Sequence, residues 1–121
     1  MKKSYSTGLQ GEAVAEEYLA NKGMICLERG HREKVGEIDL IMKDRDTIVF
    51  VEVKTRLSDG SEGYGLQSVD GAKQRRIAKS ATLYLMKHGL LRSSVRFDVV
   101  EINQLGVIHI KDAFQPGGMM F

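Results

Sequence analysis

Residues 36–56 narrow the choice of fold most. Two runs of alternating apolar and polar side chains flank Asp44-Arg45-Asp46-Thr47, a cluster of turn-forming residues. This spacing predicts a hairpin with strands over 37–43 and 48–55. If Lys43 faces Ile48, the antiparallel register pairs Ile41 with Phe50, Asp39 with Glu52 and Glu37 with Lys54. Ile38, Leu40 and Met42 then share an apolar face with Val49, Val51 and Val53, and that face is expected inside. On the other face only the end remote from the turn is polar. The second strand is apolar enough to read as buried on both sides, which puts Glu52 and Lys54 where ionisable groups are normally excluded. Such charges must be paired or must bind a metal.

The rest of the chain supplies partners for the hairpin. Residues 7–22 are helical in composition, and 24–29 read as a strand. Residues 56–66, with Gly60, Gly63 and Gly65, read as an exposed loop. Residues 69–88 place Ile77, Ala81, Tyr84 and Leu85 at helical spacing. Two strands follow over 94–102 and 106–110, and the tail from about 114 to 121 is expected to fray. The order α-β-β-β-α-β-β predicts an α/β domain with a mixed sheet flanked by helices.

At 121 residues and 42% hydrophobic content the chain has room for one folded domain, taken as 1–121, and is far from a disordered composition. The net charge of +2 excludes a polycation that binds by bulk charge. It conceals an acidic stretch of −3 over 37–63 beside a basic one of +6 over 64–96. No apolar run is long enough for a signal peptide or a membrane span, so a cytoplasmic protein is expected. One Cys and three scattered His exclude the usual zinc spacings. Any metal ligands should be oxygens, and His31, His88 and His109 read as structural or surface residues.

Carboxylates opposed across a strand pair, with Cβ atoms about 4.5–5.5 Å apart, repel unless something compensates. A divalent cation would compensate Asp39 and Glu52. The alternative is an ordinary cross-strand network, with Glu37 and Lys54 as an ion pair and Glu52 exposed at a sheet edge. Glu12 weighs on the first side. It shares a helical stripe with Gly8, Ala15 and Leu19, the face a helix turns toward a sheet, and Gly8 and Gly11 leave room beside it. Three carboxylates and a Lys at one sheet end suit a hard cation and an anionic substrate.

The strings Gly36-Glu37-Ile38-Asp39-Leu40-Ile41 and Val49-Phe50-Val51-Glu52-Val53-Lys54-Thr55-Arg56, with Gly8-Leu9-Gln10-Gly11-Glu12 before and Arg96-Phe97-Asp98-Val99-Val100 after, resemble the small bacterial YraN family over nearly the whole chain. The resemblance implies the restriction endonuclease-like fold of the PD-(D/E)XK nucleases, similar to archaeal Holliday-junction resolvases. It places the first Asp of that pattern on Asp39, its Glu-X-Lys on Glu52-Val53-Lys54 and its helix-borne Glu on Glu12, with Ile38 where the motif's name has Pro. It further implies Mg²⁺, or Mn²⁺ in its place, held by Asp39, Glu52 and Glu12, with Lys54 orienting a water for hydrolysis of a phosphodiester.

For substrate binding, Lys73 and Arg76 share a helix face, and Arg32 and Arg56 flank the carboxylate strands. With few aromatic residues among them, contact to the phosphate backbone is the expected mode, and Tyr64 in the glycine-rich loop is the exception. The expected activity is Mg²⁺-dependent endonucleolytic cleavage of structured, branched DNA. The alternatives are an accessory module that binds nucleic acid without turnover, and a small interaction protein. A homodimer is expected by analogy with the resolvases.

Overall fold

A computed structural model describes residues 3–56 and 69–116, the side chains of residues 3–9 excepted. Most of the predicted loop, Tyr64 and the last five residues of the tail lie outside the described residues. The elements are α1 (Lys3–Asn21), β1 (Ile25–Glu33), β2 (Gly36–Asp44), β3 (Thr47–Arg56), α2 (Gly71–Lys87), β4 (Ser94–Asn103) and β5 (Gly106–Phe114). Their order is the one the sequence predicts. They build one five-stranded sheet in the order β1-β2-β3-β4-β5, in which β3 and β4 run parallel and the other neighbours antiparallel.

Each helix buries a stripe against one face of the sheet. Ala15 and Leu19 of α1 pack with Leu40, Met42, Val49, Val51, Val100 and Ile102. Ile77, Ala81, Tyr84 and Leu85 of α2 pack with Ile41, Ile48, Phe50, Phe97 and Val99 on the opposite face. The sheet is thus the middle of three layers, and β3, at its centre, is covered on both sides as its composition predicts.

Both helices end in the same cap. Gly23 N–H bonds to Ala20 O at 2.9 Å and Met24 N–H to Leu19 O at 3.2 Å, while Gly89 N–H bonds to Met86 O at 3.3 Å and Leu90 N–H to Leu85 O at 2.8 Å. These are Schellman motifs, in which a left-handed glycine turns the chain and the next residue packs back on the last helical turn. Gly23 and Gly89 have φ of 100° and 67°. At its start α2 is capped by Asp70, whose carboxylate accepts the Lys73 amide proton at 2.9 Å.

The hairpin departs from its predicted register at one end. The ladder runs from Asp44↔Thr47 to Leu40↔Val51 and stops there, so neither Asp39 and Glu52 nor Glu37 and Lys54 are ladder partners. Ile38 also leaves the face expected for it and packs on the α2 side, whereas Leu40 and Met42 pack on the α1 side. Strand β1 makes the same switch. Arg29 reaches Glu16 of α1 at 2.6 Å, yet His31 meets the Tyr84 ring of α2 at 5.3 Å. Strict alternation would put residues two apart on one face. The two strands change face at adjoining positions, Gly30, with φ of 58°, and Asp39. This irregularity turns the Asp39 side chain out of the alternation.

His31 is buried and sits between Glu28 Oε2 at 2.6 Å and Glu33 Oε2 at 2.8 Å, and Glu33 also takes Lys87 Nζ of α2 at 3.0 Å. This fits the structural role expected of it. The last strand runs four residues beyond its expected end. Phe114, placed at the start of a frayed tail by the sequence, is buried and stacks on Phe97 at 5.3 Å between centroids. Asp112, with φ of 55°, interrupts the alternation that would have revealed this extension.

Candidate active site

Where the hairpin ladder ends, Asp39 takes over one backbone bond. Its Oδ2 accepts the Val53 amide proton at 2.8 Å, at a point where a continued ladder would engage that amide with the main chain of β2. The carboxyl is thereby fixed beside β3, at a cleft of about 170 Å³ lined by Gly36, Glu37, Asp39, Glu52, Lys73 and Arg76. Burial pushes the Asp39 carboxyl up from 3.8 to about 7; the charge of Glu52 adds to this, as do Glu12 and Glu37, while the Val53 hydrogen bond works against it.

Glu52 is 6% exposed on the central strand and not at an edge, so the alternative of a solvated Glu52 is overturned. Its Oε2 accepts from Lys54 Nζ at 3.3 Å and from Lys73 Nζ at 2.5 Å. Lys73, expected to face phosphate, therefore reaches from α2 onto the carboxylate strand. Burial weakens the Lys54 ammonium, and the neighbouring Lys73 lowers it further. Lys73 moves the other way: burial disfavours its charge, but the hydrogen bonds to Glu52 and Lys54 and the charges of Glu52 and Asp39 together outweigh that and raise it.

Glu12 approaches from the α1 side. Burial raises its carboxyl, as do the charges of Glu37 and Glu52, while a hydrogen bond with Asp39 opposes the rise. The close approach depends on Gly11, where a Cβ would collide with Thr55 Oγ1 of β3. The structure thus brings together Glu12, Asp39, Glu52, Lys54 and Lys73, with Arg76 exposed at the cleft wall. Glu37, expected to pair with Lys54, instead lines this cleft and meets Arg32 Nε at 3.7 Å. Arg32 is 81% exposed at the rim. Arg56, the last residue of β3, has its Nε 4.0 Å from the buried Glu101 of β4.

Sequence reasoning missed the Val53 amide, which no side-chain pattern reports. It also missed Glu101, a carboxylate in an apolar strand that announces itself by the same logic as Glu52.

All the carboxylates here offer oxygen, the donor type of hard cations. Among the described residues, no three His, Cys, Asp or Glu side chains form a ready-made metal cage. The donor set nevertheless fits Mg²⁺, which binds through one or two carboxylates and retains several waters. The charge of Glu52 helps to raise the Asp39 carboxyl, and a cation placed between the two would relieve that repulsion.

The profile of the Uncharacterised protein family UPF0102 matches residues 11–102. The chain belongs to the UPF0102 family. A UPF0102 protein of Persephonella marina is 45% identical over 113 residues, covering 92% of this chain and 95% of its own length. One from Clostridium tetani is 49% identical over 113 residues, covering 87% and 90%. A third, from Geotalea uraniireducens, is 47% identical over 115 residues, covering 91% and 90%. The resemblance to the YraN proteins holds at this family level. The segment matched to UPF0102 begins at Gly11 and ends at Ile102, and so contains every residue gathered at the cleft. No helix among the described residues of this UPF0102 chain is long and apolar enough to cross a membrane.

Proposed function

We propose that this chain is a Mg²⁺-dependent endonuclease of the restriction endonuclease-like class, acting on structured DNA. The observation that carries this reading is the buried Asp39 carboxyl, pushed up to about 7 partly by the charges of Glu52, Glu12 and Glu37, opposite a helix that presents Lys73 and Arg76. Asp39 and Glu52 would hold the metal, with Glu12 completing the shell directly or through water. Mg²⁺ bound there would supply a water of lowered pKa and a counter-charge for the phosphate.

The protein's own groups do the rest. The Val53 amide fixes the orientation of Asp39, so little reorganisation is needed when a cation arrives. Lys54, its ammonium weakened by burial and by Lys73, is suited to orient the attacking water and to exchange a proton with it. Lys73 and Arg76 neutralise phosphate oxygens at the cleft mouth, and Arg32 and Arg56 extend the basic contact along the backbone.

A second reading, a DNA-binding module without turnover, is favoured by one observation. Glu52 Oε2 is already engaged by two ammonium groups, which compete with a metal for the same oxygen. Incubating wild type and Asp39→Ala with duplex, flap and four-way-junction DNA, in Mg²⁺, Mn²⁺ or chelator, separates the two. Nuclease function requires metal-dependent cleavage by the wild type and none by the variant. Equal binding by both with no cleavage by either establishes the second reading.

A further inference from the structure

The opposite end of the sheet carries a larger cleft, of about 790 Å³, that the reaction above does not use. Helix α1 stops at Asn21, and beyond it the cleft has a polar lining that includes Asp44, Arg96 and His109. Arg96 and His109 line this cleft, both held from behind by Asp98, which is fully buried. Asp98 accepts from Arg96 Nε at 3.0 Å and Nη2 at 3.3 Å, from His109 Nε2 at 2.7 Å and from the Asp112 amide at 2.9 Å. Asp44 takes Arg96 Nη1 at 3.0 Å.

These bonds settle the chemistry of the floor. Lys22 Nζ lies 2.9 Å from His109 Nδ1 while Asp98 takes Nε2, so both ring nitrogens are engaged. A guanidinium has five N–H donors, and the bonds above use three of those of Arg96. Lys22, Arg45 and Lys111 stand exposed around the mouth. The acidic groups of the lining are Asp44, neutralised by Arg96, and Asp46, so the cleft keeps a net positive charge even with Asp98 behind it.

We propose that this cleft binds the phosphate of a small phosphomonoester of about mononucleotide size. Its volume lies within the roughly 300–1,000 Å³ of small-molecule sites, and a bare phosphate would leave most of it empty. The lining matches a compact dianion in sign, with a planar guanidinium fixed by two carboxylates beneath three exposed cations. Arg96 is recessed, its side chain only 12% exposed, so a terminal monoester reaches it while the backbone phosphates of a duplex remain at the rim.

The test uses the full chain in chelator, which keeps the carboxylate site at the other end free of metal. Phosphate, adenosine 5′-monophosphate, adenosine and a short DNA duplex are titrated while the His109 ring signals, assigned with His109→Gln, are followed by NMR. Adenosine monophosphate is expected to shift them saturably and to bind more tightly than phosphate, and adenosine to leave them unmoved. Lys22→Ala and Lys111→Ala, both exposed positions, are each expected to weaken binding roughly tenfold, the loss of one charge-assisted contact. Glu52→Gln is expected to bind like the wild type. The proposal is overturned if adenosine shifts the ring equally, if the lysine variants bind unchanged, or if the duplex displaces the mononucleotide.

Discussion

The Asp39 carboxylate receives the Val53 amide proton at 2.8 Å, and this one bond both ends the β2–β3 ladder and fixes a carboxyl that burial and its acidic neighbours push up to about 7. A side chain that substitutes for backbone is held more rigidly than one anchored by its rotamer alone. Its ionisation therefore acts directly on the strand junction.

Asp39 makes the metal-free protein sensitive to pH. Its native pKa of about 7 lies above the ordinary 3.8, so ionisation costs more in the folded than in the unfolded state, and stability falls as pH rises through that interval. Asp39→Asn keeps an oxygen for the Val53 amide without the charge. In chelator the variant should match the wild type below the lower value and exceed it by roughly 4 kcal/mol above the upper one. Denaturant melts across that range measure the difference, and added Mg²⁺ should narrow it by stabilising the wild type alone.

Lys73 competes with any cation for Glu52. Lys73→Ala should lower the Mg²⁺ concentration needed for half-maximal thermal stabilisation, by roughly tenfold, while weakening DNA binding. A midpoint that stays fixed or rises would show that the ammonium and the metal do not share that oxygen.

Asp98 organises the far end of the sheet. Burial alone would raise its pKa, but the hydrogen bonds from His109, Arg96 and the Asp112 amide hold it below the ordinary 3.8. Its contribution to stability is therefore present above that value and is lost as pH falls through the depressed native one. Asp98→Asn, which leaves Arg96 without a buried counter-charge, should cost roughly 3–5 kcal/mol in denaturant unfolding at neutral pH.

Gly11 controls the approach of α1 to β3. Gly11→Ala gains about 1 kcal/mol of helix propensity but drives a methyl into Thr55 Oγ1, an overpacking that costs about 1–3 kcal/mol. The single variant should be the less stable and should lose Glu12-dependent metal affinity. Gly11→Ala with Thr55→Ala should recover most of both, because the remaining Thr55 Cβ and Ile102 Cδ1 neighbours lie at 3.5 and 3.7 Å, ordinary contact distances.

The element order and the turn at Arg45-Asp46 were legible because period-2 alternation and turn chemistry are local signals. Glu52 was legible as a carboxylate in an otherwise apolar strand. The face change at Gly30 and Asp39 was not, since an irregularity in two paired strands leaves the residue types of each strand unchanged while moving Ile38 to the other side. Lys73 read as a phosphate-contacting cation, and its reach to Glu52 was not legible, because helical periodicity shows which face a residue occupies but not how far its side chain extends. Asp98 stood in plain view between Phe97 and Val99, and the reasoning that singled out Glu52 applies to it equally.

The topology also orders events in time. Strands β1, β2 and β3 pair with sequence neighbours, whereas the parallel pairing of β3 with β4 must close the long excursion that carries α2. Local closure is the faster, and the N-terminal part of a chain leaves the ribosome first. The carboxylates of Asp39 and Glu52 thus meet before Lys73 is delivered to them. During that interval Lys54, carried by the same strand, is the ammonium at hand for Glu52, and Lys73 adds the second only when α2 docks, so the charge balance of the site is completed by the same event that completes the core.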